Sequence, residues 1–258
     1  MNPFKLSAFA IIAAFTISAC GKAPAGFSVS GVTSGQGNGC TAGSTTKKLR
    51  ILVMVDNSGS TASTDPDQYY RVETLRNFLA VHSASTNLSY GFGYFGDDAF
   101  LYDMNLGRFI EGSVSSPVGG HAGITGALDA YHALSPSGNT GYTAAFDALR
   151  SAITRDESTG NVEDYAVVFM SDGQPTDITG NVTTGIANLV DALKSAAGAN
   201  GRSHVAISSV YFGSASDSTS IGNLRGMANR GGGQFVDTNN LPPGGLSIDD
   251  VVTVPGCI

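Results

Sequence analysis

Three oxygen-bearing side chains at alternate positions follow the first apolar run of the domain. Residues 51–55 are apolar, and Asp56, Ser58 and Ser60 come directly after them. The short, largely β-branched run predicts a strand buried on both faces, as at the centre of a parallel sheet. In open α/β sheets, ligands bind beyond the carboxyl ends of the strands. Carboxylate and hydroxyl oxygens suit Mg²⁺ or Mn²⁺ rather than zinc or copper. The alternative is a turn in which Asp56 or Ser60 only caps backbone N–H groups.

Two later stretches place further oxygen donors next to predicted elements. Residues 165–170 form a second apolar, strand-like run, and Ser171 and Asp172 follow it. Thr143 ends the polar loop 135–143 and stands where a helix is expected to begin, so that its ordinary role there would be an N-cap. The sequence therefore offers oxygen donors at two strand ends and at one helix start.

The rest of the chain supplies the elements that must position these residues. Amphipathic helices and short apolar strands alternate, which predicts an α/β fold with a doubly wound, mostly parallel central sheet and helices on both faces. The predicted strands are 51–55, 87–95, 99–102, 165–170, 205–212 and 234–236. The predicted helices are 65–82, 123–134, 144–153, 182–197 and 221–228, with Asp65 and Pro66 as the start signal of the first.

Residues 91–96 match the glycine pattern of dinucleotide-binding turns. That pattern binds a cofactor where it follows a strand and opens a helix. Here it lies within a predicted strand and is followed by a turn. We therefore expect no nucleotide cofactor.

Length and charge limit the function classes. The chain has 258 residues and a net charge of −7, which suits one sizeable domain with appendages. It carries no basic patch that could neutralise phosphates, which argues against a nucleic-acid partner.

The first 46 residues have the composition of a signal peptide followed by a flexible tether. Residues 1–20 carry a lysine and then an apolar stretch of signal-peptide length. The end of this stretch, residues 17–20, resembles the bacterial lipoprotein box, which implies that Cys20 is lipidated. Gly21, in place of an aspartate, favours the outer membrane. Residues 21–46 are rich in Gly, Ser and Thr and predict a flexible tether ahead of a domain at 47–258. The alternative is an ordinary secretory signal.

The remaining cysteines are Cys40 and Cys257. If Cys20 carries lipid, these two are left over, and an export compartment permits them to form a disulfide. The alternative is two free thiols.

Three separate stretches together resemble a von Willebrand factor A domain. They are DNSGS at 56–60, GYTAAFDAL at 141–149 and VVFMSDGQPTD at 167–177. They match the metal-ion-dependent adhesion site of that family, which consists of DxSxS, a loop threonine and an aspartate after a later strand. The likeness spans about residues 47–240.

The resemblance implies a role for each residue. Ser58 and Ser60 would coordinate Mg²⁺ directly, with Mn²⁺ or Ca²⁺ as alternatives. Asp56 and Asp172 would hold the ion, largely through bound water. Thr143 would be the third hydroxyl ligand, with Thr140 as its rival. Thr143 is preferred because its distance along the chain from the helical Leu149 matches the family spacing.

In the family, the remaining coordination position takes a carboxylate from a partner protein. The resemblance thus implies a lipid-anchored envelope protein that binds an acidic group of another protein and is not an enzyme. The family's C-terminal helix is shortened here, which implies a static site. Two alternatives stay open: a structural scaffold with a non-functional metal site, and a metal-dependent hydrolase. The hydrolase lacks support, because neither GxSxG nor GK[ST] occurs.

Overall fold

The computed structural model describes residues 48–82, 85, 87–102, 110–111, 123–160, 163–199, 201 and 203–255. The predictions for the leader, the tether, Cys20, Cys40 and Cys257 lie outside these residues. Within the described part of the chain, no helix combines the length and the apolar character that a membrane crossing requires.

The described strands form one sheet whose centre is parallel. Its order is β3-β2-β1-β5-β6-β7, with the short β4 also paired to β2. β3 and β4 run antiparallel to β2, and the other neighbouring strands are parallel. The strands are β1 (Leu49–Asp56), β2 (Leu88–Phe95), β3 (Ala99–Tyr102), β4 (Ile110–Glu111), β5 (Asp164–Ser171), β6 (Val205–Tyr211) and β7 (Gly232–Asp237).

Helices cover both faces of the sheet. They are α1 (Thr61–Thr64), α2 (Thr74–His82), α3 (Gly123–His132), α4 (Tyr142–Ser158), α5 (Val182–Ala197) and α6 (Ser218–Gly231). All eight residues of β1 are buried, and they alternate between two cores. Val53 packs with residues of α2 and α3, whereas Leu52 packs with residues of α4, α5 and α6. The predicted doubly wound α/β fold and its central buried strand are therefore confirmed.

The predicted helix over residues 65–82 is wrong in its first half. A π-helical turn occupies Tyr69–Glu73, and regular α-helix begins at Thr74. The carboxylate of Asp65 accepts hydrogen bonds from the backbone N–H groups of Tyr70 and Arg71. Asp65 therefore caps this turn through N–H groups five and six residues further along the chain, and residues 65–68 are not helical.

The C-terminal part of the domain holds no long helix in its described residues. Two 3₁₀ turns, Thr238–Asn240 and Ile248–Asp250, follow β7. Ile248 and Val251 are buried in the core beside α2 and α3. The shortened C-terminal helix expected from the sequence is thus seen as 3₁₀ turns and extended chain that cover one face of the sheet.

Candidate metal site at the carboxyl ends of β1 and β5

The two strand ends that carry the candidate ligands are neighbours. β1 and β5 pair in parallel, with Val55 opposite Met170, so both strands deliver their last residues to the same edge. There the hydroxyl of Ser171 donates to Asp56 Oδ2 at 2.6 Å. Parallel pairing thus brings together residues that are 115 positions apart.

The turn after β1 folds back on the Asp56 carboxylate. The backbone N–H of Ser58 donates to Asp56 Oδ1 at 2.8 Å, the local turn that a short acidic side chain favours. This turn brings the Ser58 and Ser60 hydroxyl oxygens to 3.1 Å from each other. Ser60 Oγ then donates to Asp172 Oδ1 at 2.9 Å. Four of the five predicted site residues therefore lie in one hydrogen-bonded chain.

The base of this group is closed to water, and its rim is open. Asp56, Ser58 and Asp172 are 0%, 2% and 6% exposed, whereas Ser60 is exposed. Burial, followed by repulsion from the Asp172 carboxylate, raises the pKa of Asp56 from 3.8 to about 6, although hydrogen bonds from Ser171 and Ser58 oppose the shift. Among the salt bridges of the described residues, neither of these two neighbouring carboxylates has a cationic partner.

The loop threonine that approaches this edge is Thr140. Its backbone N–H donates to Thr176 Oγ1 at 3.1 Å, and its carbonyl accepts from Thr176 N at 2.9 Å. Its side-chain oxygen lies 3.9 Å from where a Cβ on Gly173 would be, directly after Asp172. Thr143 instead lies in the first turn of α4, and its N–H donates to Asp177. Thr140 thus contacts the turn after β5, whereas Thr143, which the spacing to Leu149 favoured as the loop ligand, lies in the first turn of α4.

The loop that carries Thr140 is also fastened to the turn after β1. The N–H of Gly59 donates to the carbonyl of Gly138 at 3.1 Å, and the N–H of Ser137 donates to the carbonyl of Asn57 at 2.9 Å. Three segments from distant parts of the chain therefore converge at one sheet edge.

The donor set at this edge suits a hard divalent cation. Hydroxyl and carboxylate oxygens converge, and a cation between them would favour the ionised form of Asp56, whose pKa is raised by burial and then by repulsion from Asp172. Within the described residues, no group of three or more His, Cys, Asp or Glu side chains is arranged to hold a metal. The hydroxyls would therefore have to be part of any first coordination sphere here.

Several supporting residues were not predicted from the sequence. Ser171 orients Asp56, and the hydroxyl of Thr64 donates to Asp172 Oδ2. Asp177 accepts hydrogen bonds from the N–H groups at the start of α4. Asp177 is the last residue of the stretch 167–177, but the sequence does not indicate which helix an aspartate in a polar turn will contact.

Comparison with known proteins concerns the fold. No family model matches the sequence, and no curated protein matches it. The PilB minor pilin of Streptococcus sanguinis, in its D319A form, matches at 12% identity with a TM-score of 0.51, covering 75% of this chain and 57% of the pilin. The pilus adhesin SpaC of Lactobacillus rhamnosus GG matches at 13% identity with a TM-score of 0.51, covering 74% of this chain and 28% of the adhesin.

A von Willebrand factor type A protein of Catenulispora acidiphila matches at 14% identity with a TM-score of 0.45, covering 72% of this chain and 37% of that protein. The chain spans less than two thirds of the length of each of these three proteins. The turns at the carboxyl ends of β1 and β5 carry the oxygen donors of the first and third sequence stretches and bring them together, as the resemblance implied. The chain shares the α/β fold of PilB and SpaC, and this fold supports the resemblance to von Willebrand factor A domains drawn from the three sequence stretches.

Proposed function

We propose that the domain binds a divalent cation, Mg²⁺ in the cell, between the turns after β1 and β5, and that the bound ion takes a carboxylate oxygen from a partner protein. The observation that carries the proposal is the hydrogen bond from Ser60 to Asp172, which joins residues 112 positions apart at one sheet edge. The exposed Ser60 leaves this edge accessible to another molecule.

The charge of each side chain determines whether it would bind the ion directly or through water. The hydroxyls of Ser58, Ser60 and Thr140 would bind the ion directly, and Asp56 and Asp172 would hold it, largely through bound water. Neutral hydroxyl ligands leave the ion electron-poor, so that an incoming anionic oxygen is strongly attracted. Carboxylates outside the first sphere add affinity without cancelling that attraction.

Binding rather than catalysis is the role proposed. A serine nucleophile needs a base within hydrogen-bond reach. The ring of His204 instead contacts Asp164 at 3.2 Å, at the start of β5 and thus at the opposite end of the strand from the candidate site. The ring of His82 contacts Asp249 at 2.7 Å.

The test of the metal site is a calorimetric titration of the purified protein with Mg²⁺. Ser58→Ala removes a proposed ligand, and Ser63→Ala removes an exposed hydroxyl that donates to the Ser60 carbonyl in the same turn. We expect Ser58→Ala to weaken Mg²⁺ binding by about tenfold or more, and Ser63→Ala to leave it unchanged. Equal affinities in wild type and Ser58→Ala would refute the site.

The partner is tested by capture from an envelope extract with Mg²⁺ or with a chelator. Capture that needs Mg²⁺ and fails with Ser58→Ala supports recognition of a carboxylate by the ion. Capture that is insensitive to the chelator would favour the scaffold alternative.

The location belongs to the same proposal. We place the domain in the bacterial envelope, held to the outer membrane by lipid on Cys20 and by the tether 21–46, with a disulfide between Cys40 and Cys257. Cys20→Ser is expected to release the protein from the membrane fraction. Thiol alkylation without reductant tests the disulfide, because paired cysteines stay unmodified.

A further inference from the structure

A fully buried arginine lies directly behind the turn that carries Ser58 and Ser60. Arg71 is 0% exposed, and its Nε pairs with Asp65 Oδ2 at 3.0 Å. Its Nη2 donates to the Asp65 carbonyl at 2.8 Å, and its Nη1 donates to Thr61 Oγ1 at 2.9 Å. One guanidinium therefore holds the middle and the end of the segment 57–65.

The same guanidinium reaches the strand end through a tyrosine of α3. Arg71 Nη1 donates to Tyr131 Oη at 3.1 Å, and Tyr131 Oη donates to the Asp56 carbonyl at 3.3 Å. Thr61 Oγ1, which accepts from Arg71, donates to the Ser58 carbonyl at 2.8 Å. The network thus fixes backbone groups on both sides of the turn that carries Ser58 and Ser60. In these contacts Arg71 itself touches none of the proposed ligand oxygens.

The backbone that delivers Arg71 to this position is irregular. Gln68 has a φ of +52°, in the left-handed region that is uncommon for residues other than glycine. The π-helical turn Tyr69–Glu73 follows at once. Such features carry a conformational cost and persist where the surrounding contacts over-determine them. Here those contacts are the hydrogen bonds of Asp65 and Arg71.

We infer that Arg71 is a positioning residue for the metal site. Its planar fork fixes residues 57–65, so that the Ser58 and Ser60 hydroxyls are in place before the ion arrives. A guanidinium can hold several acceptors in a rigid geometry, which a lysine cannot do. Residues that orient ligands change metal affinity without touching the metal. The inference rests on the proposed metal site.

A second buried group of arginine, aspartate and tyrosine serves as a control for effects on stability alone. Arg50, at the start of β1, pairs through Nε with Asp156 Oδ2 at 2.8 Å, and Tyr165 Oη donates to the same oxygen at 2.8 Å. Arg50 is 8% exposed and Asp156 is 3% exposed. This Arg–Asp–Tyr group matches Arg71, Asp65 and Tyr131 in composition, but it lies at the opposite end of β1.

The experiment compares Tyr131→Phe with Tyr165→Phe, and Arg71→Met with Arg50→Met, in the full chain. The tyrosine variants remove one buried hydroxyl each and keep the ion pairs, so they serve where an arginine variant fails to fold. We measure Mg²⁺ affinity by calorimetry and backbone hydrogen exchange over residues 57–65 without metal. Tyr131→Phe and Arg71→Met are expected to weaken Mg²⁺ binding about 10- to 100-fold and to speed exchange of that segment. Both control variants should leave affinity and exchange there unchanged.

Equal Mg²⁺ affinities in Arg71→Met and Arg50→Met would overturn the inference, as would equal affinities in Tyr131→Phe and Tyr165→Phe where the arginine variants fail to fold. If the wild-type protein binds no Mg²⁺, the proposed function fails, and the exchange measurement still decides the role of Arg71. Faster exchange over 57–65 in Arg71→Met and Tyr131→Phe, with no change there in Arg50→Met and Tyr165→Phe, supports positioning. Exchange over 57–65 that is the same in each variant and its control refutes it.

Discussion

The carboxylate of Asp177 accepts a hydrogen bond from the backbone N–H of Thr143 at 2.8 Å. It also accepts from the N–H groups of Tyr142 at 3.0 Å and Ala144 at 3.3 Å. The first N–H groups of a helix have no partner within the helix, and a negative charge is favourable there. Asp177 belongs to the turn after β5, so that one carboxylate ties this turn to α4 and to the loop that carries Thr140.

Removing that cap should cost both stability and metal affinity. Asp177→Ala is expected to lower the free energy of unfolding by about 1–2 kcal/mol, because three N–H groups lose their acceptor. Mg²⁺ binding should weaken as the loop with Thr140 loosens. Asp147→Ala is the control, since Asp147 lies on the exposed side of the same helix and pairs with Arg150; its effect should stay within about 0.5 kcal/mol. Urea unfolding and calorimetry give both numbers, and equal losses in the two variants would contradict the cap.

The choice between the two threonines is a second prediction. Thr140→Val and Thr143→Val each replace a hydroxyl by a methyl group of similar size. We expect Thr140→Val to weaken Mg²⁺ binding by about tenfold or more, because its oxygen faces the turn after Asp172. Thr143→Val should keep the affinity, since the contact of Thr143 with Asp177 is made by its backbone. The reverse outcome in the same titration would restore Thr143 as the ligand.

Local apolar patterns in the sequence predicted the strands at the centre of the fold. β1 and β5 are continuous apolar runs, and the polar residues after them mark the carboxyl ends of parallel strands. That β1 and β5 are neighbours, so that Asp56 and Asp172 meet at one edge, was implied by the family resemblance and not by these patterns. The loop ligand could not be chosen in this way. The sequence predicted a helix from residue 144 with Thr143 just before it, whereas α4 begins at Tyr142 and includes Thr143 in its first turn.

The supporting network behind the site could not be predicted. An arginine within an amphipathic pattern is ordinarily exposed, and the periodicity of Val72, Leu75 and Leu79 suggested a regular helix. The burial of Arg71 depends on contacts with Thr61 and Tyr131, which come from elsewhere in the chain. Such long-range hydrogen bonds leave no periodic trace in a single sequence.

A glycine beside Asp172 supplies a third prediction. A Cβ on Gly213 would overlap the Asp172 carbonyl oxygen and the Tyr211 hydroxyl. Gly213→Ala should therefore displace the turn after β5, lower the free energy of unfolding by about 1–3 kcal/mol and weaken Mg²⁺ binding. Gly222→Ala is the control, because no atom lies within 4 Å of its added Cβ in α6; it should stabilise the protein by about 0.5–1 kcal/mol. If Gly213→Ala changes neither the free energy of unfolding nor the Mg²⁺ affinity, this turn can shift to accept the added methyl group and the prediction is wrong.

The raised pKa of Asp56 predicts how metal-free stability depends on pH. Its pKa is about 6 in the folded protein against an ordinary value of 3.8. Below about pH 4 the Asp56 carboxyl is protonated in both the folded and the unfolded protein, so it does not lower the free energy of unfolding. Between about pH 4 and pH 6 the unfolded chain releases the proton first, so stability falls as pH rises, by about 3 kcal/mol in total. Asp56→Asn has no carboxyl group at this position. Subtracting its free energy of unfolding from that of the wild type therefore removes the contribution of the other titrating groups.

In chelator, the difference in free energy of unfolding between wild type and Asp56→Asn should therefore fall by about 3 kcal/mol from about pH 4 to pH 7. Urea unfolding at each pH measures it. Mg²⁺ must displace the Asp56 proton below about pH 6, so the affinity of the wild-type protein should weaken there by about tenfold per pH unit. A difference that stays constant across this range would mean that folding does not raise the pKa of Asp56, and the net cost of its buried carboxylate, which a cation would relieve, would then be absent.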